Sequence, residues 1–208
     1  MANFNRNNWY QVTLKSGDVL SLASSTVGNG AGSAFFQITN TSRPTQQWQL
    51  FGSEDGPYVV RSAEGGPTGY LTARPGSSVK TSVNSGNTVP GLSDYTVADK
   101  SMYWTIKPWG DGSFWMSNQA NGTRWHLERE SNGLGAMSSN ITAPQLGQSF
   151  VFKSLGKIND AKYSTVQVNF PRGHCCSQKP RAKFCTNRQP HLHRRPHHHQ
   201  RLHLGQDW

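Results

Sequence analysis

The sequence predicts an all-β fold, three four-stranded repeats closing on one core, followed by a disordered basic tail. Three observations predict it. Short apolar stretches are separated by Gly-, Asn- and Ser-rich turns instead of recurring at helical spacing. Similar aromatic anchors return at intervals of 56 and 46 residues, and His, Cys and positive charge gather after residue 167. Charged residues make up 15% of the chain, well below the usual value of about 25%, which excludes a coiled coil or a helical bundle. No stretch approaches the roughly 18 apolar residues of a membrane-spanning helix, and Met1-Ala-Asn-Phe-Asn-Arg lacks the apolar core of a signal peptide.

The first repeat carries Gly17-Asp-Val-Leu20-Ser-Leu22 and ends on the anchor Gln46-Gln-Trp48-Gln-Leu50. The polar–aromatic–alternating order of that anchor reads as a short strand with one buried face. The second repeat is entered through Phe51-Gly-Ser-Glu-Asp55-Gly56-Pro-Tyr58-Val-Val. Its Asp-Gly pair turns one strand into the next. It continues through Gly69-Tyr-Leu71-Thr-Ala73, crosses a Gly/Ser-rich insertion (76–100) and ends on Met102-Tyr-Trp104-Thr-Ile106. The third is entered through a matching turn, Pro108-Trp109-Gly-Asp111-Gly112-Ser-Phe114-Trp115-Met. It then carries Gly122-Thr-Arg-Trp125-His126-Leu127 and ends on Gln148-Ser-Phe150-Val-Phe152. Met137, between them, fits a gap in the core.

Units of this length cannot close a core alone, so they bury their apolar faces against one another. Three units of about four strands call for a closed antiparallel architecture, because closure leaves few exposed edges. Three propeller blades would be too few, and a flat sandwich gives no reason for a count of three. The expectation is a barrel with a hairpin cap, built from residues 1–167.

Q-x-W at three anchors in a chain of this size resembles the ricin B-type lectin family, the β-trefoil carbohydrate-binding modules. Gln46-x-Trp48 is intact; the second copy has Met102 before Trp104, and the third has Phe150 after Gln148. The runs Asn121-Gly-Thr-x-Trp125-His-Leu, Met137-Ser-Ser-Asn-Ile-Thr and Gly156-Lys-Ile-Asn-Asp are similar to those of fungal members. The resemblance covers about residues 8–166. It implies a β-trefoil in which Trp48, Trp104 and Phe150 are core residues. It also implies a sugar site made from an acid early in the repeat, an aromatic platform about ten residues before the Q-x-W glutamine, and polar groups beside that glutamine. A sugar needs both kinds of contact, because its hydroxyls demand partners while its C–H face supplies desolvation gain.

Carried over by position, the first repeat offers Phe36 as platform with Asn40 and Thr45 nearby, but Ala23 where the acid belongs. The third offers Glu128 as the acid with Asn140 beside it, but Met137-Ser138 as platform. The second offers Ala73-Arg74 and the insertion. No repeat holds both halves of the usual site, so the resemblance implies one shallow, non-standard site. Its residues are Glu128, Asn140, Phe36 and Asn40. His126, the one His before the tail, is expected to face solvent or satisfy a local carbonyl. Trp109 and Trp115 read either as exposed sugar platforms or as a cover for the barrel end.

Residues 1–167 carry 13 Lys or Arg and 10 Asp or Glu, a net of +3, whereas residues 168–208 carry 8 and 1, a net of +7. The tail has no sustained period, few apolar residues and repeated prolines, so it cannot offset its ordering entropy and reads as disordered. Adjacent Cys175 and Cys176, with Cys185, His191 and His193, lack the C-x2-C spacing of structural zinc sites, and no metal or cofactor is expected. Arg194, Arg195 and Arg201 offer weak, salt-sensitive attraction to phosphate, not specific nucleic-acid recognition. A Ser/Thr/Pro/Ala-rich stalk read one nucleotide out of frame would give this His/Pro/Arg/Gln composition.

No G-x-S-x-G, H-E-x-x-H, Walker or dinucleotide motif appears, and the chain reads as a monomeric non-enzyme that binds glycan or polysaccharide. The alternative is a trefoil protein-interaction or inhibitor module that uses the second-repeat insertion. Compartment stays open: no export signal is legible, whereas the resemblance implies an extracellular or cell-surface role.

Overall fold

The computed structural model describes residues 3–17, 19–27, 31–52, 56–75, 88–93 and 100–166. The tail with its cysteines and histidines, most of the insertion, and Asp55 of the first Asp-Gly pair lie outside them. Among the described residues the chain forms twelve strands, four to each repeat. The first repeat comprises β1 (Asn8–Leu14), β2 (Leu20–Val27), β3 (Ala31–Ile38) and β4 (Trp48–Gly52). The second comprises β5 (Tyr58–Ser62), β6 (Tyr70–Pro75), β7 (Thr88–Ser93) and β8 (Tyr103–Pro108). The third comprises β9 (Phe114–Asn118), β10 (His126–Arg129), β11 (Gly135–Ser138) and β12 (Phe150–Lys157).

The outer strands of each repeat make the barrel. β1 pairs with β4, β4 with β5, β5 with β8, β8 with β9 and β9 with β12, all antiparallel. β12 then returns onto β1, running from Asn8↔Lys157 to Leu14↔Phe150 with one register shift at Trp9/Tyr10. That pairing closes the ring and leaves it without a free edge. The inner strands form three hairpins, β2–β3, β6–β7 and β10–β11. They are laced together where β3 meets β7 and where Phe35 bridges to Leu134. At the β3–β7 crossing a Cβ on Gly91 would lie 2.7 Å from the Gly32 carbonyl oxygen, so the two backbones need a glycine there. A six-stranded barrel with three capping hairpins is a β-trefoil, as the sequence predicts.

Period-two alternation explains which side chains fill it. Tyr10, Val12 and Leu14 of β1, Trp48 and Leu50 of β4, and Tyr58 and Val60 of β5 point into one apolar cluster. Trp104 and Ile106 of β8, Met116 of β9 and Phe150 of β12 join it from the other side. Trp48, Trp104 and Phe150 are fully buried, as are Leu22, Leu71 and Leu127 of the hairpins. Burying each large ring contributes roughly 3 kcal/mol. Trp48 Nε1 donates to Leu22 O at 2.9 Å and Trp104 Nε1 to Leu71 O at 2.8 Å, so each anchor ties its barrel strand to its own hairpin. Phe150 has no N–H to offer; its ring stacks on Phe36 instead, with centroids 6.0 Å apart. Met137 is a core residue, as expected.

A short 3-10 turn precedes each anchor: Pro44–Gln46, Lys100–Met102 and Leu146–Gln148. The Asp-Gly turn between β8 and β9 forms as the sequence predicts. Asp111 Oδ1 accepts from Ser113 N and Oγ, and Gly112 supplies a φ of +85°. Lys15 Nζ reaches Asp111 Oδ2 at 2.7 Å. That hydrogen bond first, and those from Ser113 second, hold the Asp111 carboxyl well below the usual carboxylate range.

Candidate functional site

The sequence-predicted residues fall into two places that repeat the same local architecture. In the first repeat Gln46 is fully buried. Its Nε2 donates to Ile38 O at 2.8 Å, and its Oε1 accepts from Asn40 N at 2.7 Å and Gln11 Nε2 at 3.3 Å. One amide thus pins the chain where it leaves β3. Gln148 does the same in the third repeat, donating from Nε2 to Asn140 O at 2.9 Å. Both glutamines reach the carbonyl eight residues upstream, because the 3-10 turn folds each one back against its own loop.

Gln148 has two further partners. Its Nε2 also lies 3.3 Å from Glu128 Oε2, and its Oε1 meets His126 Nδ1 at 3.2 Å. Since Nε2 is spent on two acceptors, Oε1 accepts, and the imidazole carries its proton on Nδ1. The structure therefore brings Glu128 and Asn140 together through a shared amide. The carboxylate is half-buried and Asn140 is exposed at the start of the loop. A half-exposed carboxylate held in one orientation is the kind of acceptor that sugar hydroxyls use.

Phe36 is placed elsewhere than the resemblance implies. It stands opposite Leu22 in the β2–β3 ladder, and directly paired residues share a face of the sheet. Leu22 faces the core, so Phe36 does too; it is 6% exposed and stacked on Phe150. Its ring is a core element and offers no face to a sugar. Asn40 is exposed, with its Oδ1 accepting from Ser42 N at 3.0 Å in a tight turn. Asn40 lines an open cleft of about 520 Å³ with Leu20, Gln37, Ile38, Thr39 and Arg43.

His126 does not face solvent. It is 4% exposed, with Trp115 stacked on it at 4.4 Å and Trp109 edge-on at 5.4 Å. Burial pushes its pKa down, opposed by the bond to Gln148. Trp109 and Trp115 are half-buried and cover this histidine, which favours the covering reading over that of open platforms. The residue that sequence reasoning missed is Gln148 as a hub; it was legible as the glutamine of Q-x-W, but its three partners belong to tertiary structure. Arg43 was missed as well, since a lone arginine before a proline carries no signal of its own.

The fold is shared with solved structures of very different proteins. It is similar to that of a mosquitocidal holotoxin, with a TM-score of 0.58 and 17% identity over 74% of this chain and 18% of that one. It is similar to the Polyporus squamosus lectin bound to a human-type influenza-binding epitope, with a TM-score of 0.55 and 17% identity over 74% of this chain and 51% of the lectin. The designed three-fold symmetric protein ThreeFoil gives a TM-score of 0.52 and 17% identity over 69% of this chain and 96% of the design. No protein-family model matches the sequence, and no curated protein does. The chain thus has a β-trefoil fold and spans only part of the natural proteins it overlays.

Proposed function

We propose that the chain binds carbohydrate without turning it over, as a lectin-like β-trefoil. The observation that carries this reading is the Gln148 hub, which holds the Glu128 carboxylate and the Asn140 loop side by side at a half-open surface. A carboxylate so fixed accepts hydrogen bonds from two neighbouring sugar hydroxyls, and exposed amides complete the shell. The groups that converge are an amide, a carboxylate, a carbonyl and the His126 imidazole, which is buried and bonded to the amide through Nδ1. The likeness to a lectin supports the reading at the level of fold, and the sugar is left to experiment.

A glycan array probed with the full chain and with Glu128→Ala tests it. The expected outcome is a defined set of neutral glycans bound by the wild type and weakened roughly tenfold or more in the variant, as expected for a lost charged acceptor. Circular dichroism and melting should stay unchanged. A blank array for the wild type refutes carbohydrate binding and leaves the protein-interaction reading.

A further inference from the structure

The first and third repeats hold their loops with the same buried glutamine, yet the side chains around it differ in three matched places. Where the third repeat has Glu128, opposite Ala136, the first has Ala23, opposite Phe35 and wholly buried. Where the third has Asn140, eight residues before its glutamine, the first has Ile38, which is 73% exposed. The third match lies at the N-cap of the 3-10 turn. Arg43 and Gln145 occupy it with similar extended backbones (φ −86°, ψ 122° and φ −93°, ψ 144°). Each offers its carbonyl to the turn's last N–H, at 3.0 Å for Gln46 and 2.9 Å for Gln148. Ala23 lies beneath the surface, so no carboxylate stands at that matched position, and the other two swaps give the first-repeat cleft an apolar surface and a guanidinium.

Among the described residues, the lining of the cleft (Leu20, Gln37, Ile38, Thr39, Asn40 and Arg43) includes no carboxylate. The Arg43 guanidinium meets no acidic partner among the described residues. Such a wall offers a neutral sugar amide and hydroxyl groups but no charged acceptor, whereas a sugar that brings its own carboxylate finds a planar donor fork matched to it. We infer that the first-repeat cleft selects a carboxylate-bearing sugar, with Arg43 pairing its acid group and Ile38 covering its C–H face. This rests on the carbohydrate-binding reading and divides it: the third repeat takes hydroxyls on Glu128, and the first takes the acid on Arg43.

The test uses the full chain, with binding measured to three monovalent trisaccharide probes. One ends in a sialic or uronic acid, the second is its methyl ester, and the third ends in neutral galactose. The eight Lys or Arg beyond residue 167 attract any anion, so the readout is the difference between wild type and Arg43→Gln. That substitution installs the third repeat's own residue and keeps the turn. The expected result is a loss of roughly tenfold for the acidic probe in Arg43→Gln, typical of a charge-assisted pair. The ester should bind the wild type as weakly as the acid binds the variant, and affinity for galactose should not change. Equal binding of acid and ester, or an unchanged affinity in Arg43→Gln, overturns the inference while galactose binding keeps the carbohydrate reading intact. Binding of none of the three overturns both.

Discussion

At His126 two influences pull the imidazole in opposite directions: burial disfavours its charged form, whereas the bond to Gln148 Oε1 favours it. Burial is the larger, so the folded protein holds the proton less tightly than the unfolded chain, whose histidine titrates near 6.5. Stability from this residue is therefore complete above that pH and is lost as pH falls through and below it. Two charged groups stand one partner removed from the ring: Lys107, whose Nζ lies 6.0 Å from the Trp115 ring, and Glu128, reached through Gln148. Neither touches the imidazole. Urea midpoints between pH 7.5 and 5.5 should fall for the wild type, with a limiting slope of about 1.4 kcal/mol per pH unit. The His126→Gln variant should lack that component, and because carboxylates titrate lower, near pH 4, the difference between the two proteins isolates the histidine. Parallel curves for both would show that His126 does not sense pH. The sequence places this residue beside Leu127 on a strand, where solvent or a local carbonyl is the expectation. What it could not show is that Trp109 and Trp115, more than ten positions earlier, swing over it from the β8–β9 hairpin.

Among the elements, the segment after β12 is held by Arg61 of β5 together with Gln49 of β4, whose Nε2 donates to Tyr163 O at 3.0 Å. Arg61 is 1% exposed, and its guanidinium donates to Gln49 Oε1, Pro67 O, Thr165 O and Tyr163 O. Phe51 and Tyr163 lie against the same guanidinium at 5.5 and 5.1 Å. No carboxylate is among these partners, so four oxygen acceptors satisfy the ion and burial lowers its pKa. Arg61→Met keeps much of the volume but strands those acceptors, and should cost about 3 kcal/mol in urea unfolding. It should also admit protease between residues 158 and 166. Arg61→Lys keeps the charge but loses the planar fork, so it should fall between the two; a lysine variant as stable as wild type would mean that charge alone suffices. None of this was legible beforehand. The anchors Trp48, Trp104 and Phe150 could be read because pattern and spacing sit in consecutive residues. The Arg61 latch joins positions about a hundred apart, and Phe36 faces the core because its parity is set by Leu22 across the ladder, which its ten-residue distance from Gln46 does not show.

For the molecule as a whole, the three repeats either share one core or merely sit side by side, and the pairing of β1 with β12 favours the first. That ladder joins residues near both ends of the folded chain and leaves no repeat with a closed sheet of its own. Phe150 sits at this seam, paired with Leu14 across the ladder and stacked on Phe36 from the first-repeat hairpin. Removing its ring therefore opens a cavity bordered by two repeats, and Phe150→Ala should cost about 3–5 kcal/mol. The more telling readout is cooperativity. Trp48 and Trp104 belong to the other two repeats and are fully buried, so in a background with Trp9, Trp109, Trp115, Trp125 and Trp208 replaced by Phe the remaining emission reports on the first and second repeats. With one shared core, tryptophan emission and far-ultraviolet circular dichroism should shift together to a single lower midpoint, as a two-state transition requires. Separate cores would leave the tryptophan transition near its wild-type midpoint while circular dichroism acquired an earlier phase. The same result bears on the candidate sites. If melting is concerted, the loops held by Gln46 and Gln148 exist only while the barrel is closed, and fluorescence at each urea concentration should predict glycan affinity at both.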